Sequence, residues 1–146
     1  MDPVVDLAPG AEHEPLARTL ADAVEAAVRV PERRRDFERL RGTVGIVLDD
    51  TASALTLRFD FGRLTIHEGL VGVPTVTVRG DRDNIQALTR LSLFGKKATP
   101  NTRGERRAQL RRIAAAWAGR RLKIYGLLSH PRFVLRFLAA LSPPAQ

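Results

Sequence analysis

The feature that most constrains this chain is a change of hydrophobic period near residue 42. From Gly42 to Arg79 apolar residues recur at every second position. Val44, Ile46 and Leu48 alternate with small or polar neighbours, then Asp49-Asp50-Thr51-Ala52-Ser53 reads as a loop. Leu55, Leu57, Phe59 and Phe61 follow, then Phe61-Gly62 as a turn, then Leu64 and Ile66. Glu68 to Gly72 is a longer turn, and Val76 and Val78 alternate with Thr75, Thr77 and Arg79. A period of two is that of a strand with one buried face. Four such runs with short connections predict antiparallel neighbours in a sheet covered on one side.

The flanks have helical spacing. Leu16, Leu20, Val24, Ala27 and Val28 form a stripe that starts near Glu14-Pro15. Pro31 breaks it, because the residue before a proline is driven out of helical geometry. Glu32 to Arg41 predicts a short charged helix anchored by Phe37 and Leu40, with Glu32-Arg33-Arg34-Arg35-Asp36 as a solvated face. Asp81 or Asp83 can cap a helix from about Asn84, which turns Ile85, Leu88 and Leu91 inward. Glu105 to Ala118 predicts another, with Leu110, Ile113, Ala114 and Trp117 on one side. Leu122 and Ile124 alternate as a fifth strand, Gly126 breaks it, and Pro131 opens a last helix carrying Phe133, Val134, Phe137, Leu138 and Leu141. The expected architecture is α+β. A five-stranded, mainly antiparallel sheet has one face covered by four to five helices. Residues 1–13 are expected to be a flexible tail and 14–146 a single domain.

Charge is local. The chain carries a net +8, but Lys96 to Lys123 holds ten basic residues and one acid, and the remainder is close to neutral. A basic segment on a surface helix suits anionic lipid, phosphate or nucleic acid. The absence of cysteine excludes disulfides, thiolate metal sites and Cys nucleophiles. No apolar run approaches the ~18 residues of a membrane span, and the acidic, Pro-broken start is unlike a signal peptide. A cytoplasmic protein is expected.

No catalytic constellation is visible. His13, His67 and His130 stand apart from one another and from metal-ligand spacing. There is no Gly-x-Ser-x-Gly elbow and no Gly-rich phosphate loop. The expectation is a non-enzyme without cofactor or metal. What is abundant is apolar surface, and a filled core and a ligand pocket look alike at this level.

Order and motif together resemble the sterol carrier protein type 2 family. Arg41-Gly42 enters a strand, and Phe59-Asp60-Phe61-Gly62-Arg63-Leu64-Thr65-Ile66 is similar to that family's strand–turn–strand. Pro74 to Asp81, then Asn84-Ile85-Gln86-Ala87-Leu88, resembles its fourth strand and following helix, and Gly119 to Gly126 its last strand. The likeness spans Glu38 to Leu141, and within the family the chain is similar to small bacterial members, including accessory factors in ubiquinone biosynthesis. It implies a tunnel between sheet and helices for a fatty acyl chain, a sterol or an isoprenoid quinone precursor. Leu57, Phe59, Ile66, Val78, Leu88, Ile113, Trp117, Ile124, Phe133, Phe137 and Leu138 are the expected lining. Arg106, Arg107, Arg111 and Arg112 are the expected contacts to an anionic head group or membrane. Ala98 to Ala118 departs from the family pattern, being longer and richer in arginine. The expected partner is thus a lipid or other apolar small molecule. The alternative is a nucleic-acid-binding or protein-interaction module built on residues 103–121; scarce aromatic residues speak against nucleic acid.

Overall fold

The computed structural model describes residues 3–87, 104, 107–108, 111, 122–126 and 129–141. Among them a six-stranded sheet carries four helices, so the chain is α+β. In chain order these are β1 (Val4–Leu7), α1 (Pro15–Ala27), α2 (Pro31–Glu38), β2 (Arg41–Leu48), β3 (Ser53–Asp60), β4 (Arg63–Glu68), β5 (Val76–Gly80), α3 (Arg82–Ala87), β6 (Leu122–Tyr125) and α4 (Pro131–Leu141). A 3-10 turn at Ala11–His13 links β1 to α1.

The sheet order is β1-β4-β3-β2-β5-β6. β2 to β4 form the expected antiparallel meander, turned at Phe61-Gly62, where both residues have positive φ. That geometry follows the right-handed twist of the flanking strands.

Two expectations are corrected. First, the sheet has six strands rather than five, because Val4–Leu7 is no loose tail. It pairs in parallel with β4, Val5 opposite Leu64 and Leu7 opposite Ile66. Second, β5 does not continue the meander beside β4. It pairs in parallel with β2, on the far side of the sheet, Val44 opposite Val76 and Ile46 opposite Val78.

The segment between β4 and β5 makes this crossing over the face turned away from the helices. The Thr56 hydroxyl on β3 donates to the Gly69 carbonyl at 2.7 Å and accepts from the Val71 N–H at 2.9 Å. At Gly45 on β2 a Cβ would stand 3.1 Å from Leu70 and 3.2 Å from Pro74. The crossing therefore covers the middle of a face expected to be fully open, and it buries Thr56.

The helices lie on the other face. α1 begins at Pro15, where a missing N–H costs nothing, and Glu14 accepts from the Leu16 N–H at 3.3 Å. The same carboxylate meets Arg82 of α3 at 2.6 Å, tying α1 to α3. Leu16, Leu20, Val24 and Ala27 are buried from the stripe read in the sequence. α1 and α2 both pack on α4. α2 stops at Glu38 rather than Arg41; Leu40 turns into the core and Arg41 opens β2.

The charged run on α2 is also corrected. Arg33 and Asp36 are buried rather than solvated. Burial pushes the Arg33 guanidinium below its ordinary pKa, and Asp36 and Glu32 oppose that shift. An interior cation is tolerated only with such compensation. Arg33→Met deprives Asp36 of that compensating charge and is expected to cost about 3–5 kcal/mol in urea unfolding. Arg33→Met with Asp36→Leu should recover most of the loss. Equal losses in the single and double variants would show that the two groups are not coupled.

Candidate functional site

The helix-facing side of the sheet is a continuous apolar surface. Val44, Ile46 and Leu48 of β2, Leu55, Leu57 and Phe59 of β3, and Leu64 and Ile66 of β4 are all buried on it. Val76 and Val78 extend it across β5, and Ile124 of β6 is half-buried at its margin. Above it α4 turns down Val134, Phe137, Leu138 and Leu141, all buried, with Phe133 half-buried at the start of the helix.

Phe59 is the hub between these layers. The rings of Phe37, Phe133 and Phe137 approach it edge-on, at centroid distances of 6.2, 6.4 and 5.9 Å and interplanar angles of 78°, 82° and 71°. Each such pair contributes about 0.5–1.5 kcal/mol beyond burial. The space between β3 and α4 is thus occupied by side chains at this point.

Of the expected lining, Leu57, Phe59, Ile66, Val78, Ile124, Phe133, Phe137 and Leu138 share this one interlayer region. Leu88, Ile113 and Trp117 lie outside the described residues, as do Arg106 and Arg112. Arg107 and Arg111 are exposed on helical backbone, four residues apart.

The electrostatics of the described residues are peripheral, Arg33 aside. Arg79 on the outer face donates to Asp49 at 2.7 Å, which raises its pKa. Glu12 is held below the usual carboxylate range by backbone N–H groups, including its own. Among the described residues no three His, Asp or Glu side chains gather as metal ligands. No helix among them is long and apolar enough to cross a membrane.

Cavities open at the rim. A cleft of about 830 Å³ lies between β1 and the α1–α2 corner, lined by Val4, Val5, Val28, Pro31 and Arg34 among others. A second, of about 410 Å³, is lined by both ends of the α2–β2 corner and the start of α4. Sequence reasoning passed over this one, since its arginines come from two distant segments and neither segment is basic enough to stand out.

A one-sided apolar sheet roofed by α1, α2 and α4 is the arrangement of the SCP2-like fold, and this chain has that fold. It is similar to a solved structure described as "UbiJ-SCP2 Ubiquinone synthesis protein", at 17% identity, with a TM-score of 0.53 over 85% of this chain and 94% of that one. A solution structure from Thermus thermophilus, a conserved hypothetical protein described as a candidate sterol carrier protein, matches at 15% identity and a TM-score of 0.36, over 86% and 90% of the two chains. No protein-family model and no curated protein sequence matches.

One contact sets how closely α4 approaches the sheet. Gly42, at φ 145°, lies under the Phe133 ring; a Cβ there would fall 2.8 Å from a ring carbon and 2.9 Å from the Thr75 hydroxyl. Gly42→Ala combines backbone strain with overpacking and should cost about 2–4 kcal/mol. Equilibrium unfolding measures it; a change below about 0.5 kcal/mol would mean that α4 does not bear on Gly42.

Proposed function

We propose that this protein binds a lipid or another long apolar molecule between sheet and helices, and makes or breaks no bond in it. The observation that carries the reading is the fold itself. An apolar sheet face lies under a roof of amphipathic helices, as in an SCP2-like protein. Affinity comes from removing hydrocarbon from water, at about 0.8 kcal/mol per CH₂. The similar solved structure is that of a protein of ubiquinone synthesis. An isoprenoid quinone precursor therefore stands beside a fatty acyl chain or a sterol as the cargo class.

The aromatic cluster around Phe59 supports one route for such a ligand over another. Four rings meet between β3, α2 and α4, and we assign the chain of a ligand to the β5–β6 side, beside Val78 and Ile124. Ile124 is only half-buried and is not one of the rings of the Phe59 cluster. Ile124→Trp is expected to weaken uptake of cis-parinaric acid by delipidated protein at least tenfold, with the unfolding midpoint little changed. Native mass spectrometry of protein purified without detergent should show a bound apolar molecule. Delipidated wild-type protein that takes up no cis-parinaric acid would sink the reading.

Arg107 and Arg111 give the protein a way to meet an anionic membrane from which such a ligand is drawn. Each basic residue near such a surface contributes about 1 kcal/mol. Arg107→Gln with Arg111→Gln should therefore reduce co-sedimentation with vesicles of phosphatidylglycerol and phosphatidylcholine about tenfold or more. Neutral vesicles should bind neither protein. Undiminished binding by the variant would remove these two residues from the contact.

A further inference from the structure

The cleft at the start of α4 has a composition that the apolar reading does not use. Arg39 and Arg41 enter it from the α2–β2 corner, and Arg132 and Arg136 from the first turns of α4. Leu40 and Phe133 are its apolar members. Ser129 and His130 complete the polar wall. Among the described residues no acidic side chain lines it.

Four arginines line one cavity of about 410 Å³, and like charges brought this close together repel. Surface arginines usually relieve such repulsion with carboxylates. Among the described residues, Arg39, Arg41 and Arg132 form no salt bridge. Asp60 is directly opposite Arg41 in the β2–β3 register, yet the Arg41 guanidinium lies over the Phe61 ring instead, 5.8 Å from its centroid. Arg39, Arg41 and Arg132 are exposed, and among the described residues no carboxylate occupies their donors. Guanidiniums pair with oxyanions through two parallel N–H donors, which fixes orientation as well as charge. The positive end of the α4 dipole adds to the same potential, but the arginines supply the charge.

The pocket's place matters as much as its charge. Leu40 is buried, and Phe133, half-buried, touches the Phe59 hub. The basic cleft therefore abuts the apolar interlayer region directly. We propose that this pocket is a binding site for a phosphate-type oxyanion, held by Arg39, Arg41 and Arg132, with Arg136 lining it. As the seat of an amphiphile's head group it rests on the apolar-ligand reading above; as the seat of a free phosphate it does not.

Calorimetry at low ionic strength separates these sources, with three probes on delipidated full-length protein. The probes are inorganic pyrophosphate, 1-oleoyl lysophosphatidate, and its uncharged counterpart mono-oleoylglycerol, the lipids below their critical micelle concentrations. Pyrophosphate is expected to bind, and Arg39→Gln with Arg132→Gln to weaken it at least tenfold. Arg58→Gln with Arg63→Gln, an equal loss of charge elsewhere on the sheet, should leave that affinity within about twofold. Circular dichroism and the unfolding midpoint check that both variants fold.

If the oxyanion is a head group, lysophosphatidate binds more tightly than either other probe. The Arg39/Arg132 variant then loses that advantage while retaining mono-oleoylglycerol. If lysophosphatidate gains nothing over pyrophosphate, the pocket holds a free phosphate rather than a head group, and the apolar-ligand reading then stands or falls separately on mono-oleoylglycerol binding. Absence of pyrophosphate binding, with the two lipids equal, overturns the pocket and leaves the apolar reading in place. Pyrophosphate binding that falls equally in both variants overturns it as well, since general charge would then explain the affinity.

Discussion

Everything in this fold leans on the contact between Phe59 and the three rings around it. Phe59 stands on β3, next to the central strand β2, and receives Phe37 from α2 and both Phe133 and Phe137 from α4. Two helices that are more than ninety residues apart in sequence are thereby fixed to one point of the sheet. The close seat of Phe133 over Gly42 sets the height of α4. Packing at interior density leaves little freedom in such a cluster. The position of the basic cleft at the start of α4 follows from this anchoring.

The sequence was informative where one residue's neighbours along the chain determine its environment. Alternation at Leu55, Leu57 and Phe59, and at Leu64 and Ile66, placed strands and their buried face, since each strand tests its own side chains against one core. The stripes on α1 and α4 were legible for the same reason. Strand order was not. The placement of β5 beside β2 depends on Thr56 holding Gly69 and Val71 and on Gly45 admitting Leu70 and Pro74, contacts between segments whose local patterns say nothing about each other. β1 escaped because four residues next to a proline give too short a pattern. Arg33 and Asp36 escaped because mixed charge on a helix is ordinarily solvated.

The candidate site divides in the same way. Leu57, Phe59, Ile66, Val78, Phe137 and Leu138 were readable as inward-facing and do share one interior. Arg39, Arg41, Arg132 and Arg136 were not readable as a group. Each is ordinary in its own segment, and they meet only because α4 returns to the corner between α2 and β2. The sequence's own signal of basicity, Lys96 to Lys123, pointed elsewhere.

The parallel pairing of β1 with β4 bears on how the chain is assembled. Val4–Leu7 leaves a ribosome ahead of its partner Arg63–Glu68, which emerges some sixty residues later. Loop-closure entropy makes such a distant pairing slow relative to the β2–β3–β4 meander. During synthesis β1 remains an unpaired strand until the meander has formed and presents its β4 edge. The meander is then the template, and β1 is a late clasp that covers the β4 edge, otherwise open to pairing with other chains.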